Sequence, residues 1–329
     1  MFLHFMYNQV IISNMKTWDR AIHSIYANLL DSVQADLGLP ASGSIVKSVS
    51  KGRDYFQHRI SYSGMPISLP VEQSRAHTEG WENRRQQVAT LIAAGANVPD
   101  RQTVKTFELL DALGCFTFQK AILVGSHAFN AIGNNLGVTW DAGFETKDID
   151  LGRMIKVSTL PSHKTTDILL KAGFRAIPQL NRKHSPTNFI HKNGMKIDFL
   201  TPMIGKPDSE PALLHGTDIY AEPIRFLDYL IKDPQQAVIL TRHGILVSVP
   251  QSARYALHKC LIFQYRRDDV KRQKDLLQAE VLLMVLEDTM PHLIKAAWDD
   301  LKWQDKAMVG ISTFKDKTLK DRLIAIFES

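Results

Sequence analysis

Residues 120–129, KAILVGSHAF, decide how the central layer of this chain begins. The apolar run 120–124 predicts a short buried strand, and Gly125-Ser126 turns it into a helix that reaches about Gly133. Ser126 is placed to cap that helix. Backbone N–H groups at such a turn, together with the positive end of the helix, can hold phosphate groups, and glycine allows a close approach. The same pair is more often only a helix cap, so its meaning depends on the residues of the next strand.

The next strand is predicted by TKDIDL, residues 146–151. The two-residue period of a strand places Asp148 and Asp150 on one face and turns Ile149 and Leu151 into the core. Two carboxylates held close together repel each other and raise one pKa unless a cation neutralises them. Oxygen ligands of this kind suit Mg²⁺ or Mn²⁺, so the pair predicts a divalent metal site.

A third carboxylate lies on a later strand. Residues 195–200 alternate so that Asp198 shares the polar face with Lys196, and Asn193-Gly194 predicts a type I′ turn that joins this strand to residues 188–191. Asp198 would be a third metal ligand or the base that receives the proton of an acceptor hydroxyl. Together these strands and the helix between them predict an α/β layer around a mixed sheet.

Helices and one basic hairpin are predicted on either side of this layer. Helical spacing of apolar residues occurs at 17–37, 72–95 and 100–113, and again almost continuously from residue 252. Between the first two helices, residues 43–71 are β-prone and mix Lys and Arg with aromatic residues. This hairpin could contact nucleic acid, although a solvated face explains the same pattern at least as well.

We therefore predict an α+β protein in three parts. An N-terminal module of helices and the basic hairpin covers 1–115, a mixed-sheet palm covers 116–250, and a C-terminal helical bundle covers 251–329. Of the 329 residues 44% are hydrophobic, which is enough for a substantial core, and the net charge of +6 is compatible with a phosphate-rich partner without proving one.

Several classes of protein are disfavoured by what the sequence lacks. Its two cysteines lie far apart, and it contains no His-Glu-x-x-His, Gly-x-Gly-x-x-Gly or Gly-x-Ser-x-Gly motif. The opening residues 1–13, MFLHFMYNQVIIS, have no basic start or cleavage site and are too short to span a bilayer. We expect a cytoplasmic protein that does not associate with membranes.

The order Gly-Ser, Asp-x-Asp and then a hydrophobic-flanked Asp on a later strand resembles the DNA polymerase β-type nucleotidyltransferase superfamily. A bacterial group of predicted nucleotidyltransferases is more similar still, and its patterns occur here at 125–129 (GSHAF), 136–138 (LGV), 146–150 (TKDID) and 254–259 (RYALHK). The similarity extends from about residue 43 to about residue 285. The interval from Ser126 to Asp148 is longer than in many superfamily members, because residues 133–145 look like an insertion.

This resemblance implies a catalytic palm that transfers a nucleotide from an NTP to an acceptor and releases pyrophosphate. It implies that Asp148, Asp150 and Asp198 are the catalytic, metal-binding carboxylates, with Mg²⁺ or Mn²⁺ as the cofactor. Gly125 and Ser126 would bind the phosphates of the nucleotide. ATP is one candidate for that nucleotide.

The bacterial group looks related to the abortive-infection type II toxin nucleotidyltransferases, whose C-terminal helices bring a Lys and a Lys-Asp pair to the nucleotide. By this resemblance Lys259 and Asp275, the latter preceded by Lys274, are nucleotide-binding residues. The alternative is a solvated helix face, since residues 254–275 carry seven basic residues against three acidic ones.

The acceptor and the biological role are left open by the sequence. Basic residues favour RNA, with tRNA as one candidate, but a protein hydroxyl or a small alcohol fits the same chemistry. A toxin-like activity is implied by kinship alone. The rival class is a catalytically silent binding protein, an antitoxin or RNA-binding module, which has no need for three mutually repelling carboxylates.

Overall fold

The computed structural model describes residues 15–35, 44–59, 67–69, 71–117, 120–140, 147–152, 165–203 and 210–329. Its N-terminal part contains β1 (Lys16–Thr17), α1 (Arg20–Ala35), β2 (Ser44–Ser50), β3 (Arg53–Arg59), β4 (Ile67–Leu69), α2 (Val71–Ala93) and α3 (Arg101–Ala112). Strands β2, β3 and β4 form a separate antiparallel sheet, which is the predicted basic hairpin. Helix α3 begins where the Asp100 carboxylate accepts hydrogen bonds from two N–H groups of its first turn.

The central part alternates strands with short helices. It consists of β5 (Ile122–Val124), α4 (Gly125–Asn135), β6 (Val138–Thr139), β7 (Asp148–Gly152), α5 (Thr165–Lys171), β8 (Phe174–Ala176), β9 (Asn188–His191), β10 (Lys196–Pro202), β11 (Ala212–Leu213), β12 (Tyr220–Ile224), α6 (Leu227–Leu230), β13 (Gln235–Ile239) and β14 (Ile245–Val249). The alternation of buried and exposed positions along β10 agrees with the predicted two-residue period.

Most of these strands join one mixed sheet in the order β11-β12-β10-β7-β5-β14-β13. Strand β7 runs parallel to β10 and antiparallel to β5, so it lies between the two other strands that supply the predicted site. Strand β9 pairs antiparallel with the first half of β10, and β12 pairs parallel with its second half. The α+β class with a mixed-sheet palm is thereby confirmed.

The C-terminal part is helical, as predicted. It comprises α7 (Ser252–Ile262), a 3₁₀ turn (Phe263–Tyr265), α8 (Asp269–Thr289), α9 (Pro291–Asp299), α10 (Gln304–Ser312) and α11 (Lys317–Glu328). Helix α7 is buried along almost its whole length because α8, α9 and α10 all pack on it. Its contact with α10 is very close, since a Cβ added to Gly310 would overlap the backbone of Cys260.

A single hydrophobic core runs from α3 through the sheet to α11. It crosses both predicted boundaries, at 115/116 and 250/251, whose positions stay predictions. A smaller hydrophobic cluster packs α1 and α2 against β13. There the Tyr26 hydroxyl bridges the Asn135 side chain and the Val238 N–H group. Within the described part of the chain, every helix is too short or too polar to traverse a bilayer.

Two local predictions are wrong. Ser126 does not cap α4, because the helix already begins at Gly125, and Val124 at its N-cap position makes no side-chain hydrogen bond. The turn before β10 is not type I′, which needs positive φ at both central residues. Of Asn193 and Gly194 only the glycine has positive φ, 88°, so the loop is a wider turn with the glycine in the left-handed region. The predicted cap Ser162 of α5 lies outside the described residues.

Candidate active site

The sheet register brings the three predicted carboxylates and the glycine turn together. Asp150 on β7 is the Cα partner of Val124 on one side and of Asp198 on the other. Asp148 lies two residues earlier on the same strand, opposite Lys196. The turn after Val124 therefore meets the polar face of β7 and β10 at one place in the sheet.

This meeting point is one wall of a cleft with a volume of about 650 Å³, which is in the range of ligand-binding sites. Helices α7 and α8 form the opposite wall. All seven predicted site residues line this one cleft: Gly125, Ser126, Asp148, Asp150, Asp198, Lys259 and Asp275. The roles given to them by the sequence stay predictions, but their convergence is a property of the fold.

Gly125 is required at its position for two reasons. Its φ is +70°, in the left-handed region that side chains other than glycine rarely adopt, and an added Cβ would overlap the Asp150 carboxylate oxygen Oδ2. The Tyr255 hydroxyl on α7 donates a hydrogen bond of 3.0 Å to the Gly125 carbonyl oxygen. The C-terminal helices therefore hold the turn that faces the carboxylates.

Asp150 is partly buried among like charges. Burial raises the pKa of its carboxyl group, and the carboxylates of Asp198 and Asp148 raise it further, to about 7. The ammonium groups of Lys259 and Lys196 act in the opposite direction without offsetting this effect. A divalent cation would relieve the repulsion, and three carboxylates supply the oxygen ligands that Mg²⁺ and Mn²⁺ prefer. The chemistry of these residues fits such an ion.

Asp198 is held by two polar neighbours. Its Oδ1 accepts a hydrogen bond of 2.8 Å from Asn188 Nδ2, and its Oδ2 lies 2.7 Å from Lys196 Nζ. Over the described ranges, no three His, Cys, Asp or Glu side chains are grouped closely enough to form a ready-made metal site. Metal binding by all three carboxylates therefore requires their side chains to move closer together.

Lys259 is buried in the wall opposite the carboxylates. Its exposed fraction is 6%, its ammonium group forms an ion pair with Asp275 Oδ1, and it lies 5.3 Å from the centre of the Tyr255 ring. The alternative of a solvated helix face is wrong for this residue. Its buried position means that the charge is available only inside the cleft.

Asp275 has both of its oxygens occupied by cations. Oδ1 pairs with Lys259, and Oδ2 lies 2.8 Å from Arg266 Nε. Burial acts to raise the pKa of the Asp275 carboxyl, but the charges of Lys259 and Arg266 outweigh it and hold that pKa below its ordinary value. Direct contact of Asp275 with a nucleotide stays a prediction. Its observed contacts are those of a residue that positions Lys259.

Two further lysines, Lys271 and Lys274, line the cleft on the next helix. Burial lowers the pKa of the Lys274 ammonium group, and the nearby charge of Lys259 lowers it further. Cations that repel each other in this way attract a polyanion, because one anionic ligand relieves the repulsion between them. This end of the cleft is suited to a chain of phosphate groups.

Sequence reasoning assigned no role to Asn188 or Tyr255. Asn188 is the Cα partner of Asp198 across the β9–β10 hairpin, so a correct reading of that hairpin register would have found it. Tyr255 belongs to the pattern at 254–259, and its spacing of four residues from Lys259 predicts that the two share a helix face. Its contact with Gly125 joins residues 130 positions apart, and no local signal predicts it.

A glycine turn facing three carboxylates, with the buried Lys259 and further basic side chains across the cleft, suits a transferase that handles phosphate groups. A family model described as Nucleotidyltransferase matches residues 101–304, which is more than half of the 329-residue chain and includes all seven predicted site residues. The chain belongs to this nucleotidyltransferase family. Neither the curated proteins nor the solved structures gave a match.

Proposed function

We propose that the protein transfers a nucleotide from an NTP to a hydroxyl group of an acceptor and releases pyrophosphate. The observation that carries this proposal is the convergence of Gly125, three carboxylates on adjacent strands and the buried Lys259 in one cleft. Family membership makes an NTP the expected substrate. The finer points of metal, acceptor and biological role are proposals that rest on the geometry and on the resemblance to the nucleotidyltransferase toxins.

The triphosphate would bind between the glycine turn and helices α7 and α8. Backbone N–H groups at the start of α4 and the Ser126 hydroxyl would donate to phosphate oxygens, aided by the positive end of that helix. Lys259 would contact the same phosphates from the opposite wall, held in place by Asp275. Lys274, on α8, would add a second positive charge.

Asp148, Asp150 and Asp198 would hold one or two Mg²⁺ or Mn²⁺ ions. When bound, such an ion supplies positive charge to the triphosphate and to the acceptor hydroxyl. The hydroxyl oxygen forms the new bond to the α-phosphorus, the bond between that phosphorus and the bridging oxygen breaks, and pyrophosphate leaves. Asp198 would receive the proton of the hydroxyl, in an orientation that its contacts with Asn188 and Lys196 support.

RNA, with tRNA as one candidate, is the acceptor that the exposed basic hairpin favours. The described hairpin exposes Lys47, Lys51, Arg53 and Arg59, and Tyr55 is 47% exposed beside them. Cations next to an exposed aromatic ring suit a sugar-phosphate backbone and its bases. A toxin-like role in the cytoplasm and a role for ATP as the substrate are part of the same proposal.

The test is to supply each α-labelled NTP in turn, with Mg²⁺ or Mn²⁺ and with whole-cell RNA or protein. We expect labelled RNA with the wild type and none with Asp148→Ala or Asp150→Ala, while Asp321→Ala, an exposed carboxylate on α11, behaves as the wild type. A catalytically silent binding protein would label no acceptor. Label that survives both substitutions would show that the site is elsewhere in the chain.

A further inference from the structure

The cleft has a second half whose residues have no role in the proposed function as stated above. Away from the glycine turn and the carboxylates, its walls are mostly apolar and aromatic, with Glu222 and Arg225 among them. We call this part the apolar half, and its residues are Leu200, Ile224, Phe226, Leu227, Ile262 and Tyr265. The two halves are continuous, because Lys259, Ile262 and Tyr265 succeed one another along α7 and the 3₁₀ turn.

The spacing of these residues matches the dimensions of a nucleotide. With a rise of about 1.5 Å per residue in α7 and about 2.0 Å in the 3₁₀ turn, Tyr265 lies roughly 10 Å along the helix axis from Lys259. That is comparable to the separation between the phosphates of a nucleotide and its base. A triphosphate held at Lys259 would therefore direct its nucleoside into the apolar half.

A buried polar side chain also lies in the wall at this place. His258 lines the cleft, is only 5% exposed, and its Nε2 has no hydrogen-bond partner among the residues that the structure describes. Residues 258, 262 and 265 share one helix face, since spacings of four and three residues return to the same side. A buried nitrogen without a partner costs free energy unless a ligand satisfies it.

The His258 imidazole is uncharged. Burial lowers its pKa, and the positive charge of Lys259 lowers it further, to about 3. A neutral imidazole carries one N–H donor and one acceptor nitrogen, so its Nε2 can bond to only one kind of group. Such an atom distinguishes bases that differ in the donor or acceptor presented at one position.

The backbone of this half of the cleft is strained at Phe226. Its φ is +64°, although it is not glycine, and strained backbone of this kind clusters at functional sites. Its ring lies 5.8 Å from the Tyr265 ring and 4.6 Å from that of Trp303. Tyr265 remains 48% exposed, so about half of its side chain is accessible to a ligand.

We propose that the apolar half binds the base of the NTP, that Tyr265 stacks on this base, and that the His258 ring turns on binding so that its Nε2 hydrogen-bonds the edge of the base and selects among the four NTPs. This inference rests on the proposed function, because it assigns a substrate contact in the same cleft. His258 is then a residue that determines nucleotide specificity.

The test measures the Kd of each of the four NTPs and of inorganic tripolyphosphate, with Mg²⁺ and without acceptor. For the wild type we expect affinities for the four NTPs that differ by about tenfold, the cost of an unpaired buried group. His258→Phe should bring the four values together and leave the Kd of tripolyphosphate unchanged. His127→Phe is the matched control, because His127 is also buried with an unpartnered Nε2 but does not line this cleft.

A second variant keeps the proposal testable if His258→Phe does not fold. Tyr265→Ala changes a half-exposed side chain and should weaken all four NTPs about tenfold through the loss of base stacking, with tripolyphosphate again unaffected. An unchanged NTP pattern in His258→Phe, or wild-type affinities in Tyr265→Ala, would overturn the assignment of the base. A wild type that binds neither NTP nor tripolyphosphate would instead overturn the proposed function itself.

Discussion

Replacing Asp150 by Asn should stabilise the metal-free protein while abolishing its activity. The ordinary pKa of an aspartate is 3.8, and in the fold that of Asp150 is about 7. Between these two values the unfolded chain has lost the proton that the folded protein still holds. The free energy of unfolding therefore falls as pH rises through this window, and above pH 7 the loss is complete.

The size of this change in the free energy of unfolding follows from how far the pKa of Asp150 is raised. A displacement of about three pKa units, at 1.36 kcal/mol per unit, corresponds to about 4 kcal/mol at pH 8. Because Asn keeps part of the cost of burying a polar group, we expect Asp150→Asn to be more stable than the wild type by about 2–4 kcal/mol at that pH. At pH 4 the two proteins should differ little, since Asp150 is then protonated in the fold.

The assay is urea denaturation in EDTA at several pH values between 4 and 8, and then the same series with Mg²⁺ or Mn²⁺. The ion should stabilise the wild type at pH 8 and have little effect on Asp150→Asn. Asp321→Asn is the control and should change stability by less than about 0.5 kcal/mol at every pH. The reasoning would be refuted if Asp150→Asn and the wild type were equally stable at pH 8. It would also be refuted if their difference in stability did not grow with pH.

Three further substitutions test contacts around the cleft. Asp275→Ala leaves the buried ammonium group of Lys259 without its carboxylate and should cost about 3–5 kcal/mol in urea denaturation; a cost below about 1 kcal/mol would show that the ion pair is not a buried one. Tyr255→Phe removes the hydrogen bond to the Gly125 carbonyl oxygen, so we expect a loss of about 1–3 kcal/mol and a raised KM for NTP, whereas an unchanged KM would separate this contact from the glycine turn. Gly310→Ala drives a methyl group into the backbone of α7 and should lower the melting temperature, with a cost of about 1–3 kcal/mol; Gly80→Ala, in a helix with open space around the glycine, is the control and should be neutral or stabilising by up to about 1 kcal/mol.

The sequence was most informative where the structure depends on local periodicity. Asp148 and Asp150 share a face because a strand repeats every two residues, and no other part of the chain is needed for that result. That Asp198 lies beside them depends on the pairing of β7 with β10, which the order of motifs suggested only through a family resemblance. Strand order joins distant residues, and a single sequence carries little direct information about it.

The incorrect and missed features depend on contacts between distant elements. Ser126 has the right chemistry for a cap, but it lies inside the helix, which already begins at Gly125. The Tyr255 hydroxyl on a distant helix binds the Gly125 carbonyl oxygen at this turn. The sequence around Lys259 is compatible with a solvated helix as well as with a buried one. Its burial results from the packing of α8 and α10 on α7, which the spacing within α7 does not reveal.

The central claim is that the cleft transfers a nucleotide rather than a terminal phosphate. It is tested most directly by supplying the same NTP with label at the α-phosphate and, in a parallel reaction, at the γ-phosphate, with Mg²⁺ and the acceptor that the labelling experiment identifies. We predict that α-label enters the acceptor and that γ-label leaves as pyrophosphate in equal amount, both only while Asp148 and Asp150 are intact. Transfer of the γ-label to the acceptor would contradict the account.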